Sequence, residues 1–282
     1  MATLKIRLAN SASTSALAPE LPRISTLSGD RSYEISLVKS EDLSPQSKKA
    51  IYQLFDSNMS TLQQVSSFPY TEKSKSEELF DPDARYILVL STSTTTSTST
   101  STSTSTSTST STSTSTSTST NPSTSTSLKG KSKSETLEGN GDPAKIDFGP
   151  GDLMGFCGFR FDTEETLGTR DAEVVYCYEV QLASHTRRMG LGKILLDILE
   201  GIGNRRGLDK VMLTCLKSNE AALAFYTKQG YTPDEIDPTG MDEDDNDPDD
   251  ADEEQDEDDE TFEWKVDYRI LSKSLRDTDR NI

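Results

Sequence analysis

Two periods run through the apolar positions of this chain, and they separate strands from helices. YEISLV at Tyr33 to Val38, ARYILVL at Ala84 to Leu90, LMGFCGFRF at Leu153 to Phe161, the alternating run Val174 to Leu182, KVMLTC at Lys210 to Cys215 and a closing stretch from Phe262 to Leu271 all read as strands. Ser44-Pro45 opens a helix, with Ser44 as its cap and Pro45 at the first position, where a missing N–H costs nothing. Ile51, Leu54 and Phe55 form its apolar stripe, and a second helical segment follows at about Ser74 to Leu79. From Gly190 the residues Leu191, Ile194, Leu195, Ile198, Leu199 and Ile202 recur at three- and four-residue spacing until Gly207 stops the helix. A further helix begins at Asn219, carries Ala222, Phe225 and Tyr226 on one side, and ends at Gly230.

Two stretches fit neither period. Residues 91–127 are almost pure Ser-Thr alternation, and residues 241–260 hold fifteen Asp or Glu. Neither can bury enough apolar surface to offset the entropy of ordering. The strands on either side of the first stretch read as a hairpin whose turn has been expanded, at little cost because closure entropy grows only logarithmically with loop length. The expected organisation is a loosely ordered arm over residues 1–30 and one domain over 31–282. Two disordered inserts interrupt that domain, one Ser/Thr-rich at 91–150 and one acidic at 239–261.

The net charge is -19, but removing the fifteen acidic residues of the second insert leaves -4, an ordinary value for a soluble domain. The acidity is therefore local. It argues against nucleic acid as a direct ligand and permits a basic partner. Cys157, Cys177 and Cys215 each lie in an apolar run without CxxC spacing, as reduced buried thiols would in a cytosolic or nuclear compartment. Three such cysteines and one histidine build no zinc site, and no apolar run approaches the roughly 18 residues of a membrane span.

The candidate chemistry lies between Tyr176 and Gly192. Alternation sets Val174, Tyr176, Tyr178 and Val180 on one face of the strand and Val175, Cys177, Glu179 and Gln181 on the other, which places a carboxylate among apolar neighbours in mid-sheet. Burial raises the pKa of such a group and suits it to act as a general base. The following loop ends in Arg187-Arg188-Met189-Gly190-Leu191-Gly192 at a helix start, where unpaired backbone N–H groups and the helix dipole favour phosphate. A Walker loop would need Gly at position 187 and Ser or Thr at 194. A dinucleotide fingerprint would need Gly at 195. Arg187, Ile194 and Leu195 exclude both. His185, the one histidine, sits in a loop position that favours solvent.

Arg187-x-x-Gly190-x-Gly192, with Asn219-x-x-Ala222-x-x-Phe225-Tyr226 and Gly230-Tyr231 beyond it, resembles the GNAT N-acetyltransferases. The resemblance implies an α/β layered GNAT fold, with a mixed, mostly antiparallel central sheet flanked by helices. It also implies acetyl-coenzyme A as cofactor. The pyrophosphate would lie on the amides of Arg188, Met189, Gly190, Leu191, Gly192 and Lys193, and the pantetheine arm along Val180, Gln181 and Leu182. Thr214 and Asn219 would lie beside the cofactor, and Tyr226 would occupy the position that protonates the departing thiolate.

The runs VVYCYEVQLASHTRRMGLGKILLDIL, KVMLTCLKSNEAALAFY and DYRILSK look more narrowly like the NatD-type N-alpha-acetyltransferases, which acetylate the Ser-Gly-Arg-Gly amino terminus of histones four and two-A. That resemblance implies Glu179 as the base, Tyr176 and Tyr178 lining the peptide groove, Asp162 and Glu164 gripping the peptide, and Tyr268 closing over it. It implies a monomer with histone tails as partners, in nucleus and cytoplasm. Where the family carries Trp-Gly-Trp, this chain has Phe68-Pro69-Tyr70. A second reading is a histone-binding module with an inactive GNAT domain, and a third is a GNAT enzyme acting on other protein amines.

Overall fold

The computed structural model describes residues 2–27, 32–64, 66–67, 69–92, 145–240 and 266–276. In chain order these form α1 (Leu4–Asn10), α2 (Thr14–Leu17), β1 (Arg23–Thr26), β2 (Ser32–Lys39), α3 (Pro45–Gln64), α4 (Glu72–Leu79), β3 (Arg85–Ser91), β4 (Leu153–Glu164), β5 (Ala172–Leu182), α5 (Leu191–Arg206), β6 (Lys210–Leu216), α6 (Glu220–Lys228), β7 (Thr232–Pro233) and β8 (Tyr268–Ser274). The strands make one sheet in the order β1-β2-β3-β4-β5-β6-β8-β7. Every pairing is antiparallel except β5 with β6.

Each face of the sheet has its own apolar layer. On one, Leu191, Leu195, Leu199 and Ile202 of α5 meet Cys157, Phe159, Val175 and Leu213. On the other, Ala50, Ile51 and Phe55 of α3 meet Tyr86, Leu88 and Phe156. Ser44 caps α3 as its sequence suggests, its hydroxyl accepting from the Ser47 amide at 3.1 Å. Gly207 ends α5 in the left-handed conformation, φ 65°, where a Cβ would be strained.

The adjacent strands β3 and β4 do pair antiparallel as a hairpin, from Arg85↔Phe159 to Leu90↔Leu153, with a register shift between Val89 and Leu90. The segment joining them re-enters the fold earlier than its composition suggests. Ile146 bridges Leu43, its carbonyl accepts from the Ser44 amide at 2.9 Å, and Phe148 is buried in the α3 layer. Residues 145–150 therefore belong to the domain. The Ser-Thr tract beyond Ser93 and the acidic run 241–260 lie outside the described residues, as does Phe262, so the closing strand is seen only from Tyr268.

Residues 2–27 are not a loose arm. Thr3 caps α1 through the Ile6 amide at 3.2 Å, and Ile6, Ala9, Leu17 and Ala18 are all fully buried against the α5 layer. Arg205 on α5 donates to the Leu17 carbonyl at 2.7 Å and Arg206 to the Ala16 carbonyl at 3.0 Å. The Ser-rich composition hides these anchors, because the apolar residues that hold the segment are scattered among polar ones. Ile6→Ala is expected to cost about 2–5 kcal/mol, the usual range for truncating a fully buried aliphatic side chain, read as a lowered urea midpoint. A loose arm would show no change.

Candidate active site

The register of β4 and β5 fixes the site. Gly158 pairs with Glu179 and Phe159 with Cys177, so Tyr178 is an extra residue without a partner on β4, a β-bulge. Strict alternation would put Glu179 on the Cys177 face. The bulge reverses that expectation: Cys177 packs in the α5 layer, Val180 and Leu182 turn toward the same layer, and Glu179 and Gln181 face α3 and α4. The carboxylate of Glu179 is 8% exposed and is held by two donors, Lys75 Nζ of α4 at 2.8 Å and Gln181 Nε2 at 2.7 Å. Burial raises its pKa, and the Lys75 ammonium opposes that rise. Burial lowers the Lys75 pKa in turn, but Glu179 and Glu78, the latter at 2.7 Å, outweigh it and hold the ammonium above its ordinary value. Lys75 Nζ also lies 4.6 Å from the centroid of the Phe55 ring.

Beyond the bulge the sheet splays. Pairing of β5 with β6 stops at Cys177↔Leu213, so among the described residues the β6-facing edge of Tyr178 to Leu182 has no strand partner. A cleft of about 1110 Å³ opens there. It is lined by Tyr176, Tyr178, Glu179, Val180, Gln181, Leu182, Arg187, Arg188, Thr214, Asn219, Tyr226 and Tyr268, twelve of the residues singled out in the sequence. It also takes in Asn58 and Lys75, which nothing in the sequence singled out.

At one end of the cleft the loop before α5 bends sharply. Arg188 adopts φ 61° and Gly190 φ 84°, and the amides of the first turn of α5 begin directly after. First-turn amides have no partner within their own helix and can face an anion. Gly192 leaves room at this point: a Cβ there would stand 3.0 Å from the Phe225 ring and 3.7 Å from Leu182. Acetyl-coenzyme A is the cofactor the fold implies, and these residues fit it. Leu191, Gly192 and Lys193 present amides for its phosphates, and the open edge of β5 suits its amide-bearing arm.

The other end is the substrate side. Tyr176 and Tyr178 stack with centroids 4.8 Å apart, and the Tyr176 hydroxyl bonds that of Thr214 at 2.6 Å. Thr214, expected beside the cofactor, is thus tied to the tyrosine wall. Burial pushes Tyr176 up to about 12. Arg160, also unmarked in the sequence, lies 4.1 Å from the Tyr178 ring centroid and pairs with Asp81 at 2.9 Å. Asp162 and Glu164 follow Arg160 on β4 but do not line the cleft; both carboxylates stand near enough to Tyr178 to raise its pKa. Burial and the neighbouring Asp162 raise the Glu164 pKa.

Tyr226 is buried at the cleft wall, and burial raises its pKa well above the ordinary value, which keeps its hydroxyl protonated and able to donate. Asn219 caps α6, its side chain accepting from the Ala222 amide at 3.3 Å, as well as lining the cleft. His185 is exposed. All three cysteines are free and buried, with Cys157 and Cys177 sulfurs 3.7 Å apart. Among the described residues there is no cluster of His, Cys, Asp or Glu that could hold a metal, and no helix is long and apolar enough to cross a membrane.

Residues 129–231, which run through β4, β5, α5, β6 and α6, match the acetyltransferase (GNAT) family. The fold is the GNAT fold. The matched span is a GNAT acetyltransferase domain, and it contains both the bulged strand and the loop that opens α5. The GNAT domain is similar to several solved structures. An acetyltransferase of the GNAT family from Desulfovibrio desulfuricans shares 10% identity at a TM-score of 0.42, covering 86% of this chain and 99% of that one. PaiA N-acetyltransferase from Thermoplasma acidophilum, in complex with coenzyme A, shares 12% at a TM-score of 0.40, covering 86% and 98%. Chaetomium thermophilum Naa20, in complex with a bisubstrate analogue, shares 24% at a TM-score of 0.28, covering 29% of this chain and 46% of that one.

Proposed function

We propose that this protein transfers acetyl from acetyl-coenzyme A to the amino-terminal Ser of Ser-Gly-Arg-Gly histone tails, with Glu179 as general base. One observation carries the reading: a buried carboxylate is set by the bulge into the same cleft as the helix-start anion site. Acetyl-coenzyme A supplies the acetyl group as a thioester, already activated toward an amine. The amides of Arg188 to Lys193 would hold its phosphates, and the open edge at Val180 to Leu182 would align the arm. The α-amine of the peptide has a pKa near 8 and must be neutral to attack, so it requires only modest help. Glu179 takes that proton at a carboxylate oxygen, and Tyr226 gives one to the departing sulfur through its hydroxyl.

The substrate reading rests on the acidic approach and the tyrosine wall. A peptide that carries Arg at its third position needs carboxylates in reach, because guanidinium pairs with them bidentately. Asp162 and Glu164 would offer them beside Tyr178, with Tyr176, Tyr178 and Tyr268 lining the cleft where the peptide would lie. Histone tails in nucleus and cytoplasm are the partners this implies, with the enzyme acting as a monomer.

Incubation with acetyl-coenzyme A and a Ser-Gly-Arg-Gly peptide is expected to add one acetyl, at the α-amine, located by fragment mass spectrometry. Acetylation of internal lysines alone would assign the domain to other protein amines. Peptide binding without any acetylation would favour the binding-module reading.

A further inference from the structure

Glu179 is reached by a chain of hydrogen bonds that begins in the cofactor loop. The Arg187 guanidinium donates to Asn58 Oδ1 at 2.5 Å, Asn58 Nδ2 donates to Gln181 Oε1 at 2.9 Å, and Gln181 Nε2 donates to Glu179 Oε2 at 2.7 Å. Asn58 Nδ2 also donates to the Leu182 carbonyl at 3.1 Å, which Arg187 Nε contacts at 3.3 Å. Arginine has five donors and no acceptor, whereas a side-chain amide has one end of each kind. A pure donor at the start of the chain therefore orients both amides. Asn58 must turn its oxygen to Arg187 and its nitrogen to Gln181, and Gln181 must then turn its nitrogen to Glu179.

We propose that Asn58 and Gln181 are positioning residues that carry the donor polarity of Arg187 to Glu179, so that the loop cradling the cofactor also holds the base as an oriented carboxylate. The catalytic consequence rests on Glu179 being the base; the chain itself does not. Lys75 grips the opposite oxygen, so the carboxylate is fixed from two sides. The other titratable groups that face it are Glu78 on α4, Tyr70 ahead of α4, Tyr86 on β3, Cys177 on β5, Cys215 on β6 and Tyr226 on α6. None of these changes in the variants below.

Asn58→Leu keeps the volume and adds no charge. It neither accepts from Arg187 nor donates to Gln181 Oε1. Gln181 is then free to present its oxygen to Glu179, which favours the protonated acid. Gln181→Met is the second variant; it removes the donor and retains a side chain of similar length. In the full-length protein, difference infrared titration with Glu179→Gln as the blank reads the Glu179 carboxyl band directly. In both variants its midpoint is expected to rise by about one pH unit, the scale of a lost hydrogen bond to a charged group. The kcat for the Ser-Gly-Arg-Gly peptide at neutral pH is expected to fall about tenfold, while the KM for acetyl-coenzyme A stays within about twofold because the loop amides are untouched. An unmoved midpoint in both folded variants overturns the relay. If the midpoints move but Glu179→Gln keeps its rate, the relay stands and the assignment of Glu179 as the base fails.

Discussion

Glu179→Gln is expected to lower kcat about 10²- to 10⁴-fold, the range a positioned general base supplies, with little change in the KM for acetyl-coenzyme A. The substitution keeps the volume and leaves an amide oxygen to accept from Lys75, but an amide takes no proton from the incoming amine. The fold should survive, because Lys75 keeps its 2.7 Å partner Glu78 and is not left as an unpaired buried charge. Steady-state rates with the peptide, set beside an unchanged circular dichroism melt, check the result. A rate within about threefold of the parent would show that the amine sheds its proton to water and that Glu179 is structural.

Lys75→Met is expected to have the largest effect on stability, about 3–5 kcal/mol, because it leaves the Glu179 carboxylate buried with one amide as its remaining donor. Methionine fills the space over the Phe55 ring, so the loss measures charge more than volume. The sign of the pH dependence follows from the direction of the shift. Burial already holds Glu179 above its ordinary value, and without the ammonium it goes higher. A carboxyl raised on folding adds stability below its unfolded pKa, near 4, and that stability is lost as the pH rises through the folded value. The gap between variant and parent should therefore be small in acid and widen toward neutral pH. Urea midpoints at several pH values read this, and a gap that stayed constant with pH would place the cost in packing. The same substitution should lower kcat, since a carboxyl that holds its proton cannot accept another.

Much of the site is legible in the sequence because its chemistry is local. Gly190 and Gly192 stand three and five residues after Arg187 at the onset of a six-residue apolar stripe, and a backbone anion site needs nothing more distant. Glu179 is visible because a charge in an apolar strand has few bland explanations. Lys75 is invisible for the opposite reason: it sits in EKSKSEEL, where Leu79 alone is apolar, and its burial depends on a partner 104 positions away in the chain. Asn58 is one polar residue on a long amphipathic helix, and Arg160 one polar residue in a strand rim. The order of the first segment is hidden because composition averages over Ile6, Ala9 and Leu17, whose burial comes from the α5 surface they meet.

The face of Glu179 was beyond reach for a different reason. A bulge is a disagreement between two strands, and neither strand records it alone. Were Tyr178 paired like its neighbours, simple parity would turn Glu179 into the layer that holds Cys177 and Leu199, away from Lys75 and from any amine. Position in this strand is thus settled by counting: the bulge absorbs one residue, so Cys177 and Glu179 stand two apart in the chain yet on opposite faces of the sheet. The reactive group owes its address to an odd number.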